Sequence, residues 1–151
     1  MNVIRGLPKI KQFKTKGERL PVQVQRGWLI LTSYVEHMTG RLPGSRGKAD
    51  AKHPATLTYG DLARAMGYDP RAGHTLGGVL GIIGNFCIAN GLPPLNAIVV
   101  NQHTGAPGAE VVLRTGRTWK QEQAAVMDQE WFRLRVPTSG TFRRVMEATR
   151  S

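Results

Sequence analysis

The stretch from Thr75 to Pro94 constrains this chain more than any other. Leu76, Val79, Leu80, Ile83 and Cys87 recur at spacings of three and four, which sets them on one face of a helix running from Thr75 to Asn90. Asn90-Gly91 and then Pro93-Pro94 follow, so the helix ends at a left-handed position and cannot resume. Beyond it the pattern turns extended. Leu95–Val100 and Glu110–Leu113 are rich in β-branched residues, and the turn formers of Gln102–Gly108 lie between them. This predicts a β-hairpin, or two short strands around a loop.

Upstream, Thr58 is suited to cap a short helix, with Asp61 placed to reach back to it. Leu62, Ala63 and Met66 supply the apolar face, and Gly67 the stop. The turn Tyr68–Gly73 then leads into the Thr75–Asn90 helix. An earlier helix is expected over Val24–Met38, with Val24, Trp28, Leu31, Val35 and Met38 on one side. After Gly40, the Gly, Pro, Ser and basic residues of Thr39–Pro54 predict an exposed loop, either a second basic finger carrying Arg46 and Lys48 or a plain surface connection. A later helix is expected over Thr118–Arg133, with Ala124, Met127 and Trp131 facing inward, and a short one in the tail carrying Arg143, Arg144 and Arg150. The expected fold is therefore α+β and mainly helical: one winged helix-turn-helix-like domain over residues 21–151, with a short β-hairpin and a C-terminal helical extension, preceded by a basic arm over residues 1–20.

The chain has 151 residues, enough to bury a core without disulfides or metals, and a formal net charge of +11. Most of that excess falls in residues 1–48, where Arg5, Lys9, Lys11, Lys14, Lys16, Arg19, Arg26, Arg41, Arg46 and Lys48 face only Glu18 and Glu36. Such a charge favours polyanions, because each cation set against a phosphate releases condensed counterions. Nucleic acid is the first partner it implies. A membrane is disfavoured, since no apolar run approaches the roughly 18 residues needed to span a bilayer. The basic N-terminus has no apolar core, which argues against a secretory signal. Cys87 has no second cysteine to pair with and lies on an apolar stripe, so it is expected to pack as a small buried hydrophobe in a cytoplasmic protein.

Leu57-Thr58-Tyr59-Gly60-Asp61-Leu62-Ala63, then Gly67, Leu76-Gly77-Gly78-Val79-Leu80, a Pro-containing approach to Ile98-Val99-Val100, and Thr104-Gly105 together resemble the DNA-binding domain of O6-alkylguanine-DNA alkyltransferases and alkyltransferase-like proteins. The resemblance covers roughly residues 24–112. It implies a helix-turn-helix seated in the minor groove of double-stranded DNA, with a nucleotide rotated out of the stack. Tyr59 matches the tyrosine that crowds the target phosphate. His74 falls where the family has its intercalating arginine, and Asn96 where it has the acceptor cysteine. Alkyl transfer requires an activated thiolate, which asparagine cannot supply.

The resemblance thus implies DNA binding without repair, with an extruded or modified base received near Asn96. Contacts are expected from Tyr59, Arg71, His74, Thr75 and Asn96, and from Lys9, Lys11, Lys14, Lys16, Arg46 and Lys48 on the basic segments. No cofactor or metal is implied: His37, His53, His74 and His103 lack ligand spacing, and Asp61, Glu110 and Asp128 are too dispersed to suggest a nuclease centre. Trp28, Trp119 and Trp131 are expected to pack rather than stack on bases. Gly77, Gly81 and Gly84 lie near one helix face, and close packing of another chain segment, or of a nucleic-acid strand, would account for them. The alternative function is a small basic adaptor or inhibitor that binds an acidic protein partner in a nucleic-acid-processing complex.

Overall fold

The computed structural model describes residues 6–149, except the side chains of Lys16 and His74. It is mainly helical, with one small parallel sheet. Helix α1 (Lys16–Met38) runs through the molecule and packs against α3 (Gly77–Ala89) and α5 (Ser139–Thr149). The contact is aromatic: Trp28 meets Phe86 edge-on at 5.3 Å and Trp131 at 5.5 Å between ring centroids, and Phe142 closes the cluster. Edge-to-face geometry lets the positive ring edges meet negative faces. Val24, Leu31 and Val35 of α1 and Leu76, Val79, Leu80 and Ile83 around α3 complete the core, as their spacing predicts.

Helix α1 begins earlier than Val24, and it takes in the last residues of the basic arm. Thr15 caps it by accepting the Glu18 N–H at 3.3 Å, while Glu18 Oε2 accepts the Lys14 N–H at 2.9 Å. The capping pattern Thr-x-x-Glu starts the helix there despite Pro21 inside it, which removes one main-chain hydrogen bond and crowds the carbonyl one turn before it. Residues 7–14 remain outside regular structure and exposed.

Strand β1 (Leu57–Thr58) leads straight into α2 (Tyr59–Ala65), and the capping box expected between Thr58 and Asp61 is formed in both directions. Gly67 then takes φ 85°, open to glycine at little cost. The following turn is a 3-10 helix over Pro70–Leu76, started by Asp69, so α3 begins at Gly77 rather than Thr75.

The β-hairpin is not formed. Val99–Val100 (β2) pairs in parallel with β1 instead, Leu57 against Val99 and Thr58 against Val100. Both valines are buried, which suits a strand covered on both sides better than a hairpin edge. Leu95–Ile98 before it is a 3-10 turn. After Val100 the chain doubles back through Asn101 and Gly105 (φ 69°), makes one antiparallel bridge from Val100 to Pro107, and stops pairing. Pro107 has no N–H with which to extend a ladder, and residues 110–113 form no strand.

The helix expected over Thr118–Arg133 is divided into α4 (Trp119–Asp128), capped by Thr118 and Gln121, and a 3-10 turn at Trp131–Arg133. Two buried carboxylates fix this half. Glu36 accepts the Trp131 N–H at 2.7 Å and pairs with Arg41, whose guanidinium also reaches the Met127 and Gln129 carbonyls. Glu122 is fully buried between Arg114 and Arg117, at 2.7 and 2.6 Å. Among the described residues no helix is long and apolar enough to cross a membrane.

Candidate functional site

The parallel register of β1 and β2 decides where the site lies. Pairing Thr58 with Val100 puts the first turn of α2 beside the loop that follows β2. A cleft of about 820 Å³ opens there, large enough for a nucleotide-sized group. Tyr59, Asp61 and Arg64 line it from α2, Arg71 and Gly73 from the 3-10 turn, Gly77 from the start of α3, and Asn101, Gln102, His103, Gly108 and Glu110 from the loop.

Tyr59 is its centre. Its hydroxyl donates a short hydrogen bond to Glu110 Oε1 and accepts the Gly108 N–H at 2.8 Å. Burial, reinforced by the Glu110 carboxylate, holds the phenol well above its ordinary pKa, so it remains a proton donor. Two glycines make room for it. A Cβ on Gly108 would fall 2.1 Å from the Tyr59 oxygen, and one on Gly73 would fall 2.8 Å from the Tyr59 carbonyl carbon.

Gly77, the first residue of α3, lines the cleft. Among the described residues, nothing lies within 4 Å of where a Cβ on Gly77, Gly78 or Gly81 would stand. Among the described residues no chain segment packs on them, which leaves the nucleic-acid strand of the two explanations expected for Gly77 and Gly81. Gly84, by contrast, is pressed against Asn96, and here the packing explanation holds.

Of the residues singled out from sequence, Tyr59 and Arg71 line the cleft. Arg71 is exposed and paired with Asp69 at 3.0 Å. Thr75 is exposed, with its hydroxyl on the Ala72 carbonyl. The His74 and Lys16 side chains lie outside the described residues, as does Arg150. Lys9, Lys11 and Lys14 lie exposed on the arm, and Arg46 and Lys48 on the 39–54 loop.

Asn96 is a correction. It is fully buried beneath Gly84, does not line the cleft, and among the described residues neither amide atom has a hydrogen-bond partner. The 3-10 turn over Leu95–Ile98 folds it inward, away from the Tyr59 cleft. Cys87 is buried in the core, and burial pushes its thiol up to about 12. Trp28 and Trp131 are core residues, while Trp119 is half-exposed beneath Lys120.

The loop residues Asn101, Gln102, His103 and Glu110 were missing from the sequence-derived site. Glu110 lies 51 residues from Tyr59, and only the parallel strand pair brings them together. Among the described residues no three His, Cys, Asp or Glu side chains converge as a metal ion would need.

Comparison with known proteins adds no relative: no family model, no curated protein and no solved structure matches this chain.

Proposed function

We propose that this chain is a non-catalytic double-stranded-DNA-binding protein of helix-turn-helix type, akin to alkyltransferase-like proteins but without the β-hairpin wing. The α2–turn–α3 unit meets the duplex, and the basic arm and loop hold its phosphates. The observation that carries this reading is the open glycine face of α3 beside the Tyr59 cleft. Each glycine inside a helix costs about 1 kcal/mol relative to alanine. Among the described residues, Gly77, Gly78 and Gly81 recover none of that through packing. Bare backbone at the mouth of a cleft lined by Arg64 and Arg71 suits close approach of a nucleic-acid strand.

The charge supports the same reading. Lys9, Lys11, Lys14, Arg46 and Lys48 take part in none of the ion pairs among the described residues, which leaves them available to phosphates. The test is binding by the purified chain alone to duplex DNA, single-stranded DNA and duplex RNA of one sequence. Duplex DNA should bind tightest, and deletion of residues 6–14 should lower the slope of log K against log salt by roughly 0.9 for each phosphate that is no longer neutralised. Absence of binding to all three at low salt rules the proposal out.

One observation favours the adaptor reading. Leu7, Ile10 and Phe13 recur every third residue on the arm and are exposed, Ile10 fully so, among Lys9, Lys11 and Lys14. Apolar side chains interleaved with lysines suit an acidic protein groove as well as a phosphate track. DNA binding without any partner protein separates the two readings.

A further inference from the structure

Glu110 presents a carboxylate to the cleft that, in the DNA-binding reading, faces the duplex. Its Oε1 accepts the Tyr59 hydroxyl, and the Gly108 N–H in turn supports the Tyr59 oxygen. The same wall carries the guanidinium groups of Arg64 and Arg71. A hydroxyl donor, a main-chain N–H behind it and nearby guanidinium groups are what a phosphate oxygen seeks. Here an internal anion already takes the donor. Glycine at 108 is what allows this: any side chain would collide with both the Tyr59 oxygen and Glu110 Oε2.

We propose that Glu110 is a built-in occupant of the Tyr59 donor, an autoinhibitory carboxylate that a nucleic-acid phosphate must displace. The inference rests on the DNA-binding reading above. Two anions cannot share one donor at hydrogen-bond distance without strong repulsion. Glu110 therefore leaves when phosphate enters, and the Tyr59 proton donor passes from carboxylate to phosphate. Glu110 lies in no strand: pairing after β2 ends at the bridge to Pro107, and the segment is held on either side of it by the Val111 N–H on the Gly108 carbonyl and the Arg114 N–H on Glu122. Binding is weaker than the cationic groups alone would give, and the loop moves when the cleft fills.

The test is a double-mutant cycle on duplex-DNA affinity, using the full chain. Glu110→Gln keeps an acceptor for the Tyr59 hydroxyl and removes the charge, and it should tighten binding about fivefold. Glu110→Ser, too short to reach Tyr59, should tighten it similarly and serves should the first variant misfold. Glu130→Gln, an exposed acid paired with Arg133, measures the general effect of losing one negative charge and should change affinity by less than about twofold. In a Tyr59→Phe background the gain from Glu110→Gln should vanish, because the donor being contested is gone. An equal gain in both backgrounds, or no gain over Glu130→Gln, overturns the autoinhibitory role while leaving DNA binding intact. Failure of the intact chain and of every variant to bind duplex DNA overturns the DNA-binding reading, and this inference with it.

Discussion

Gly73 lies against the main chain of Tyr59 so closely that a β-carbon there would stand 2.8 Å from the Tyr59 carbonyl carbon and 2.9 Å from its oxygen. Both neighbours are backbone at the start of α2 and cannot swing aside. The 3-10 turn and the capped end of α2 are thus fitted to each other, and the cleft between them depends on that fit. Gly73→Ala should cost about 1–3 kcal/mol through overpacking and displace Tyr59. Urea unfolding monitors the first effect. A midpoint equal to that of the intact chain would show that the turn yields freely.

Glu122 is fully buried between two arginines. Burial alone would raise its carboxyl, but hydrogen bonds from Arg114 and Arg117 prevail and hold it below the ordinary value of 4.5. A carboxyl lowered in the folded state contributes stability above its unfolded pKa and gives this up as pH falls through the folded one. The melting temperature should therefore decline as pH drops below about 4.5. Glu122→Gln should cost about 1–3 kcal/mol at neutral pH and flatten that acid decline. Parallel pH curves for the two proteins would assign the acid sensitivity to other groups.

Asn96 contributes two buried polar atoms with no hydrogen-bond partner among the described residues, wedged beneath Gly84. An unsatisfied buried polar group costs about 1–3 kcal/mol, and leucine has nearly the same branched shape. Asn96→Leu should raise stability by about 1 kcal/mol or more, measured by thermal or urea unfolding. Loss of stability instead would mean that the amide is hydrogen-bonded in solution.

The sequence disclosed those parts of the fold that are specified locally. The Thr58–Asp61 cap, the Gly67 stop, the α3 stripe and the end of that helix at Asn90-Gly91 rest on interactions within a few residues, and all are present. The missed start of α1 was local too, in Thr15-x-x-Glu18, but it lies ahead of the apolar stripe of Val24–Met38 on which the helix was placed. Nothing local announced the parallel pairing of Leu57–Thr58 with Val99–Val100, because a β-branched run looks the same whether its partner is the next strand or a distant one. Tyr59 and Arg71 of the candidate site could be named in advance. Glu110 could not, since its role follows from that pairing. Asn96 was placed by family analogy, whereas its burial is set by the 3-10 turn that carries it.

The most direct test of the DNA-binding proposal is Gly81→Lys. Gly81 has open space above it, so the variant should fold, and loss of a helical glycine should leave stability equal or higher by up to about 1 kcal/mol. The added lysine would strengthen any association driven by charge alone. If α3 lies against the duplex, the side chain blocks that approach, and affinity for duplex DNA falls at least tenfold in a protein that melts no earlier than the intact chain. Unchanged or tighter binding by Gly81→Lys would contradict the account and place any DNA on the basic arm and loop instead.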